Sequence, residues 1–252
     1  MKNQNKKIFS EYHSGKNLTH DARHPYEKDF IETKVKLLKK YLSCKQGQQI
    51  LDLCCGTGEY SKYIDTKKNS YYGLDFSQNM LDEFKLSEIY FEGMNLIKAD
   101  VNKIPITNNK IDICFCFSSL YYFDDIEIVL KQVNRVLLTS GVAILEFGTK
   151  NNINAHVSNY WAKNANWGYP YFISYKEMLN AVNKSGFKIV EERNFQLFPV
   201  LRGPWWSLLI ANSFLRSFLR IKYKDLSIDE LISSSRFCQK YAFKHLLVLV
   251  KK

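Results

Sequence analysis

Short apolar runs alternate with amphipathic stretches along most of the chain, and the alternation predicts its elements. Residues 26–42 place Phe30, Val35, Leu37, Leu38 and Leu42 at roughly helical intervals among charges, so a helix precedes the first strand. Ile50, Leu51 and Leu53 form the continuous apolar run of a strand buried on both faces of a parallel sheet. Gly56 and Gly58 break that run, and Tyr60, Tyr63 and Ile64 supply helical spacing behind it. Tyr71 to Leu74 read as a second strand ending at Asp75, and Ser77 caps a helix over QNMLDEFKL. NLIKADVNKIPI gives a third strand ending at Asp100, and KIDICFCFSSL a fourth. DDIEIVLKQVNRVLL is an amphipathic helix capped by Asp124 or Asp125, and GVAILEFG is a fifth strand introduced by Gly141. A helix is expected over 174–185, starting from Ser174, and GFKIVEERNFQLF and YAFKHLLVLVKK are two final strands.

Strand alternating with helix implies right-handed crossovers and a parallel, doubly wound α/β sheet in the first 150 residues. The chain divides into an N-terminal helical lid or arm (1–42), a core (43–197 with 241–252) and a basic, helical insertion between the last two strands (198–240), which would cover the acceptor.

Composition narrows the class. At 252 residues, 46% hydrophobic and 24% charged, the chain suits one large globular domain with an insertion. MKNQNKKIFS has positive charge but no apolar core after it, and no stretch approaches the length of a membrane span, so export and membrane crossing are disfavoured. Cys54, Cys55, Cys114 and Cys116 lie in or at the ends of strand-like runs, without the paired CxxC spacing of zinc sites. They read as small core residues in a reducing compartment, which favours the cytoplasm and no metal. The net charge of +11 is uneven: residues 1–150 carry 21 Lys and Arg against 19 Asp and Glu, residues 151–252 carry 15 against 6. The basic C-terminal part suggests an anionic substrate or surface.

The glycine turn after the first strand, with an acid ending the second, suits two ligand classes. A dinucleotide site wants a third glycine where this chain has Ser61, so that match is partial. The ordered set D-x-x-C-G-T-G at Asp52 to Gly58, the acid Asp75, A-D-V at Ala99 to Val101, D-I-C-F-C-F-S-S-L-Y-Y at Asp112 to Tyr122 and R-V-L-L-T-S-G at Arg135 to Gly141 resembles class I S-adenosylmethionine-dependent methyltransferases. The small-molecule branch, including the quinone-biosynthesis type and sugar or metabolite enzymes, is the nearest, over about residues 40–150. The resemblance implies a mostly parallel seven-stranded sheet with an antiparallel last strand. It implies S-adenosylmethionine as cofactor and S-adenosylhomocysteine as product. Gly56 and Gly58 would lie against the methionine and adenosine parts, Asp75 with Phe76 at the ribose, Asp100 and Val101 at the adenine, and Phe117 and Ser118 along the methyl-donor pocket. Asp52 would orient the loop or meet the cofactor's amino group. Cys54 departs from the family, which commonly has its first glycine there.

The acceptor must be sought elsewhere. SSLYY, Ser118 to Tyr122, lacks the Pro-Pro motif of nucleic-acid amino-methyltransferases, and no Pro-Cys nucleophile is present, so nucleic acid is disfavoured despite the charge. Candidate bases are His13, His20, His24, Tyr122 and His156, none of which stands out as catalytic. Tyr12, Tyr26, Tyr122, Trp161, Trp205 and Trp206 are the candidate acceptor contacts. From Trp205, Ile210, Ala211, Phe214, Leu215, Phe218 and Leu219 fill one arc of a helical wheel, while Arg216, Arg220 and Lys224 repeat on the other side. The bland reading is a lid helix on its own domain. The sharper one is an interfacial helix over 204–224, with Trp205 and Trp206 at headgroup depth and the basic stripe on anionic lipid. The expected activity is methyl transfer to a small or lipid-linked metabolite, with oxygen favoured over nitrogen or carbon. The alternatives are a protein of the same fold that binds the cofactor or a nucleotide without turnover, and a nicotinamide-dependent Rossmann oxidoreductase. The sequence leaves the oligomeric state open.

Overall fold

A computed structural model describes residues 3–11, 25–42, 46–165, 168–198 and 217–252. Its centre is a seven-stranded sheet of order β3-β2-β1-β4-β5-β9-β6, with β1 at Gln49–Leu53, β2 at Ser70–Asp75, β3 at Asn95–Lys98, β4 at Ile111–Cys116, β5 at Leu137–Gly148, β6 at Phe187–Phe195 and β9 at Lys244–Lys251. The first five strands are parallel, and β9 runs antiparallel between β5 and β6. This is the expected doubly wound sheet with an antiparallel last strand. The order reverses between β1 and β4, so their C-terminal ends open the crevice in which ligands bind to such sheets.

Central strands read as unbroken apolar runs because both faces are covered. Leu51, Leu53, Cys114, Cys116, Leu247 and Leu249 pack on one side, with the 126–136 and 175–184 helices. Ile50, Phe115, Ile144, Leu246 and Val248 pack on the other, against Phe30, Leu37 and Leu38 of the 25–42 helix. Asp125, not Asp124, caps the 126–136 helix, accepting from the N–H groups of Glu127 and Ile128. Ser174 and Glu177 close a capping box on the 175–184 helix, as its sequence predicts.

Three local expectations change. The residues behind the glycine loop form only a 3-10 turn over Ser61–Tyr63, because Asp65 accepts from the Lys67 N–H and closes a side-chain turn that stops the coil. β5 starts at Leu137, with its pairing to β4 shifting register before Val142, so Gly141 lies inside the strand. The helix expected to run to Lys224 has ended by Arg220: Ser217 to Leu219 are helical, and Lys222–Tyr223 (β7) then pair with Leu226–Ser227 (β8) in a tight hairpin. Lys224 and Asp225 turn it with positive φ, so Lys224 leaves the helical stripe. The rest of that stripe, 204–216 with Trp205 and Trp206, lies outside the described residues.

The following helix, Ile228–Ser233, seals the sheet edge. Asp229 accepts from the Gln196 N–H at 2.7 Å, Ser233 from Leu197 at 3.2 Å and Ser234 from Asn194 at 3.1 Å. Side chains thus satisfy N–H groups at the end of the edge strand β6 and in the two residues beyond it.

Candidate functional site

The loop after β1 is shaped by two glycines with different duties. Gly58 has φ +79°, and a Cβ there would fall 2.2 Å from the Phe84 ring. Phe84, from the 78–86 helix, is fully buried against Tyr71, so Gly58 lets the loop close on the core. Gly56 has φ +52°, yet a Cβ there would meet nothing within 4 Å. Open space stands over its backbone, which suits close approach of a ligand. Cys54 also has positive φ, 61°. A non-glycine residue is therefore held in the left-handed region where the sequence departs from the resembled pattern.

Asp75 ends β2 and reaches back to this loop. One carboxylate oxygen accepts from the Gly56 N–H at 3.0 Å and the other from the Ser77 N–H at 2.9 Å. It is a buried organiser, not a solvated turn residue. Burial raises its pKa, and the N–H groups of Ser77, Gly56 and Phe76 offset only part of that. Asp52, on β1, is buried and accepts from the Tyr71 hydroxyl at 2.8 Å. Burial pushes its pKa up to about 7, with the charge of Asp75 adding to the effect and Tyr71 opposing it. Two carboxyls thus flank the loop, with Phe76 half-buried beyond the second.

Asp100 follows β3 and caps the short turn that holds the buried Val101, accepting from the Asn102 N–H at 3.0 Å. Its other oxygen takes the Lys6 ammonium at 2.6 Å. Partial burial works against its charge, but Lys6 and the Asn102 N–H outweigh it and hold the carboxyl below its usual range. Phe117, after β4, is buried beside Tyr60 at 4.8 Å between rings, and Ser118 follows with φ 59°.

Lys6 shows what the N-terminal segment does. The helix Asn3–Ser10 spans the ends of these strands. The fully buried Asn5 donates to the Tyr169 carbonyl at 2.8 Å and accepts from the Tyr169 N–H at 2.7 Å. Asn79 donates to the Ser10 carbonyl, and the Phe9 ring lies 4.7 Å from that of Tyr122.

The structure brings together Asp52, Cys54, Gly56, Gly58, Asp75 and Phe76 at the ends of β1 and β2, with Asp100 and Val101 past β3 and Phe117, Ser118 and Tyr122 past β4. Trp161 lies on the 153–165 helix with its ring 5.6 Å from Tyr160, and His156 of the same helix is exposed. Tyr12, His13, His20, His24, Trp205, Trp206 and the side chain of Tyr26 lie outside the described residues. Reading the sequence missed Asn5, Lys6 and a buried cluster of Lys34, Glu146 and Lys244. Only Glu146 left a signal, as an acid inside the apolar run GVAILEFG.

The residues fit an adenosine-bearing cofactor. A Cβ at Gly56 would meet nothing within 4 Å, which leaves the loop backbone open to a ligand, and carboxyls at the end of β2 and just past β3 are chemically able to accept from ribose hydroxyls and an adenine amino group.

Comparison with known proteins agrees with the geometry. Residues 51–145 match a family described as a methyltransferase domain. The chain is 30% identical over 112 residues to a demethylmenaquinone methyltransferase of Staphylococcus aureus, a match spanning 43% of this chain and 46% of that protein, so the chain spans less than half of the curated relative's length. Among solved structures it resembles the YcgJ protein of Bacillus subtilis, with TM-score 0.60 at 15% identity over 88% of this chain and 99% of that one. It also resembles an S-adenosylmethionine-dependent methyltransferase of Mesorhizobium loti, with TM-score 0.57 at 18% identity over 85% and 95%. Motif order, strand order and family match converge: residues 51–145 match a methyltransferase domain, and the sheet has the fold of solved S-adenosylmethionine-dependent methyltransferases.

Proposed function

We propose that the protein methylates a small or lipid-linked metabolite, with oxygen the favoured acceptor atom and S-adenosylmethionine the donor. The observation that carries the reading is the Asp75 clamp on the loop: a buried carboxylate fixes Gly56 where its backbone faces open space, at the switch point of the sheet. Asp75 with Phe76 would hold the ribose, Asp100 and Val101 the adenine, and Gly56, Gly58 and Asp52 the methionine part, with Cys54, Phe117 and Ser118 lining the donor pocket. When bound, S-adenosylmethionine would supply a sulfonium methyl group, the sulfur keeping the S–C bonding pair while the acceptor oxygen provides the new pair and gives its proton to solvent.

The chain's own residues contribute alignment and exclusion of water. Segment 1–42 acts as a cover, supported by the hold of Asn5 on Tyr169 and of Lys6 on Asp100. Insertion 198–240 would shape the acceptor side, where Tyr122, Trp161, Trp205 and Trp206 are the proposed contacts. Lys6 must yield part of its grip on Asp100 when adenine binds. The relative's name points to a quinone-type acceptor.

The described part of the insertion exposes Phe218, Ile221, Tyr223 and Phe237 beside Arg220, Lys222, Lys224 and Arg236. That mixture supports peripheral contact with an anionic membrane from the cytoplasmic side. No helix among the described residues is long and apolar enough to cross one.

The test is incubation with methyl-labelled S-adenosylmethionine and separate quinol, phenol and sugar acceptors. Labelled product with S-adenosylhomocysteine supports the reading. Cofactor binding with no S-adenosylhomocysteine formed from any acceptor would favour a binding protein, and quenching of reduced nicotinamide fluorescence would favour the oxidoreductase.

A further inference from the structure

Glu146 centres a buried ionic cluster to which the proposed cofactor contacts give no role. Its Oε2 accepts from Lys34 Nζ at 2.8 Å, from the Ser118 N–H at 2.9 Å and from the Ser118 hydroxyl at 3.2 Å, and its Oε1 accepts from Lys244 Nζ at 2.7 Å. Burial alone would raise its pKa, but the two ammonium groups hold it down to about 2. The carboxylate therefore stays charged at neutral pH and is no reservoir for an acceptor's proton.

The two lysines differ in what they face. The Lys34 side chain is 1% exposed, and its ammonium also donates to the Ser118 hydroxyl at 3.1 Å and the Tyr60 hydroxyl at 3.3 Å. The Lys244 side chain keeps 11% exposure, and its one hydrogen bond among the described residues goes to Glu146. Otherwise its ammonium faces aromatic rings, with Tyr121 at 4.1 Å and Phe243 at 5.2 Å. Phe172 completes this wall, 5.6 Å from Tyr121 and 5.1 Å from Phe243. An ammonium has three donors, so Lys244 retains hydrogen-bonding capacity beside this angled aromatic wall, linked through Glu146 to Ser118. A purely structural tie would gain little from placing a cation here, since well-packed apolar side chains often replace buried ion pairs without loss.

We infer that Lys244 receives the acceptor, and that the acceptor is an aromatic molecule with an ionisable hydroxyl. Its ring packs on Tyr121, Phe172 and Phe243, and its oxygen takes a charge-assisted hydrogen bond from the Lys244 ammonium. The cation favours the oxyanion over the neutral hydroxyl. Glu146 and Lys34 act as positioning residues that fix Lys244. The inference rests on the methyl-transfer reading and specifies its acceptor.

The test is calorimetric titration of naphthohydroquinone, kept reduced, and of its dimethyl ether into protein saturated with S-adenosylhomocysteine. Lys244→Met leaves Glu146 paired with Lys34, and thermal melting checks that it folds; Lys244→Arg restores the charge if Met is not tolerated. The expected result is hydroquinone binding that weakens about tenfold or more in Lys244→Met and recovers in Lys244→Arg, with poor binding of the ether throughout. S-adenosylhomocysteine affinity should be equal in all three proteins. Hydroquinone binding that ignores Lys244, binding of the ether as tight as that of the hydroquinone, or no hydroquinone binding would overturn the inference alone. A selective fall in S-adenosylhomocysteine affinity in Lys244→Met would reassign the residue to the cofactor. Failure of the wild type to bind S-adenosylhomocysteine would remove the methyl-transfer reading as well.

Discussion

Gly56 and Gly58 look alike in the sequence and should behave oppositely. Gly58→Ala drives a Cβ into the Phe84 ring and keeps an unfavourable φ, so it should destabilise by about 3 kcal/mol or more in urea unfolding. Gly56→Ala meets no neighbour and should cost only about 1 kcal/mol of stability, while cofactor affinity falls at least tenfold. Equal effects of the two substitutions on unfolding would contradict this division. Asp52 supplies a pH signature. Its pKa rises from 3.8 to about 7 on folding, so the native state holds the extra proton and stability should decline as pH climbs through that window. The scale is about 1.4 kcal/mol per unit of displacement, and Asp52→Asn should flatten the slope in denaturation curves taken from pH 4 to 8. At this scale the glycines and the strand-end acids were legible, because turn geometry demands those residue types at those points. Lys34 and Lys244 were not: each sits among other lysines, and only the fold brings them to Glu146 from opposite ends of the chain.

Elements were legible wherever periodicity and capping agree. The 126–136 and 175–184 helices and the central strands follow their apolar patterns. Periodicity failed where local chemistry overrode it, at the Asp65 turn behind the glycine loop and at the Lys224–Asp225 turn that ends the helical stripe. A lid or arm over 1–42 was expected, but the ties of the Asn3–Ser10 helix were not legible, because Asn5 on Tyr169, Lys6 on Asp100, Asn79 on Ser10 and Phe9 on Tyr122 follow no periodicity. Asn5→Ala should therefore loosen this helix without unfolding the domain. Hydrogen exchange over residues 3–11 should accelerate strongly, since the lost bonds are worth roughly 1–3 kcal/mol, while strand amides keep their protection. Uniform acceleration across the sheet would show instead that the helix is part of the global core.

The whole molecule combines a nearly charge-balanced first 150 residues with a basic C-terminal part. The order of motifs along the chain anticipated the sheet because each βα unit places its loop at the same edge. The proposed acceptor side was harder to read, since it would be assembled from the N-terminal helix, the residues after β4 and β5, and the start of β9. If the basic, aromatic surface meets lipid, flotation with anionic vesicles should exceed that with neutral ones and decline with added salt. Equal flotation with both would remove the membrane contact. The central claim is that the loop between β1 and β2 holds the methyl donor. Calorimetric titration of S-adenosylmethionine and S-adenosylhomocysteine into the wild type and Asp75→Asn tests it most directly. One-site binding in the micromolar range that weakens at least tenfold in Asp75→Asn, with the variant still folded, is the predicted result. Binding of neither ligand, or binding indifferent to Asp75, would contradict it.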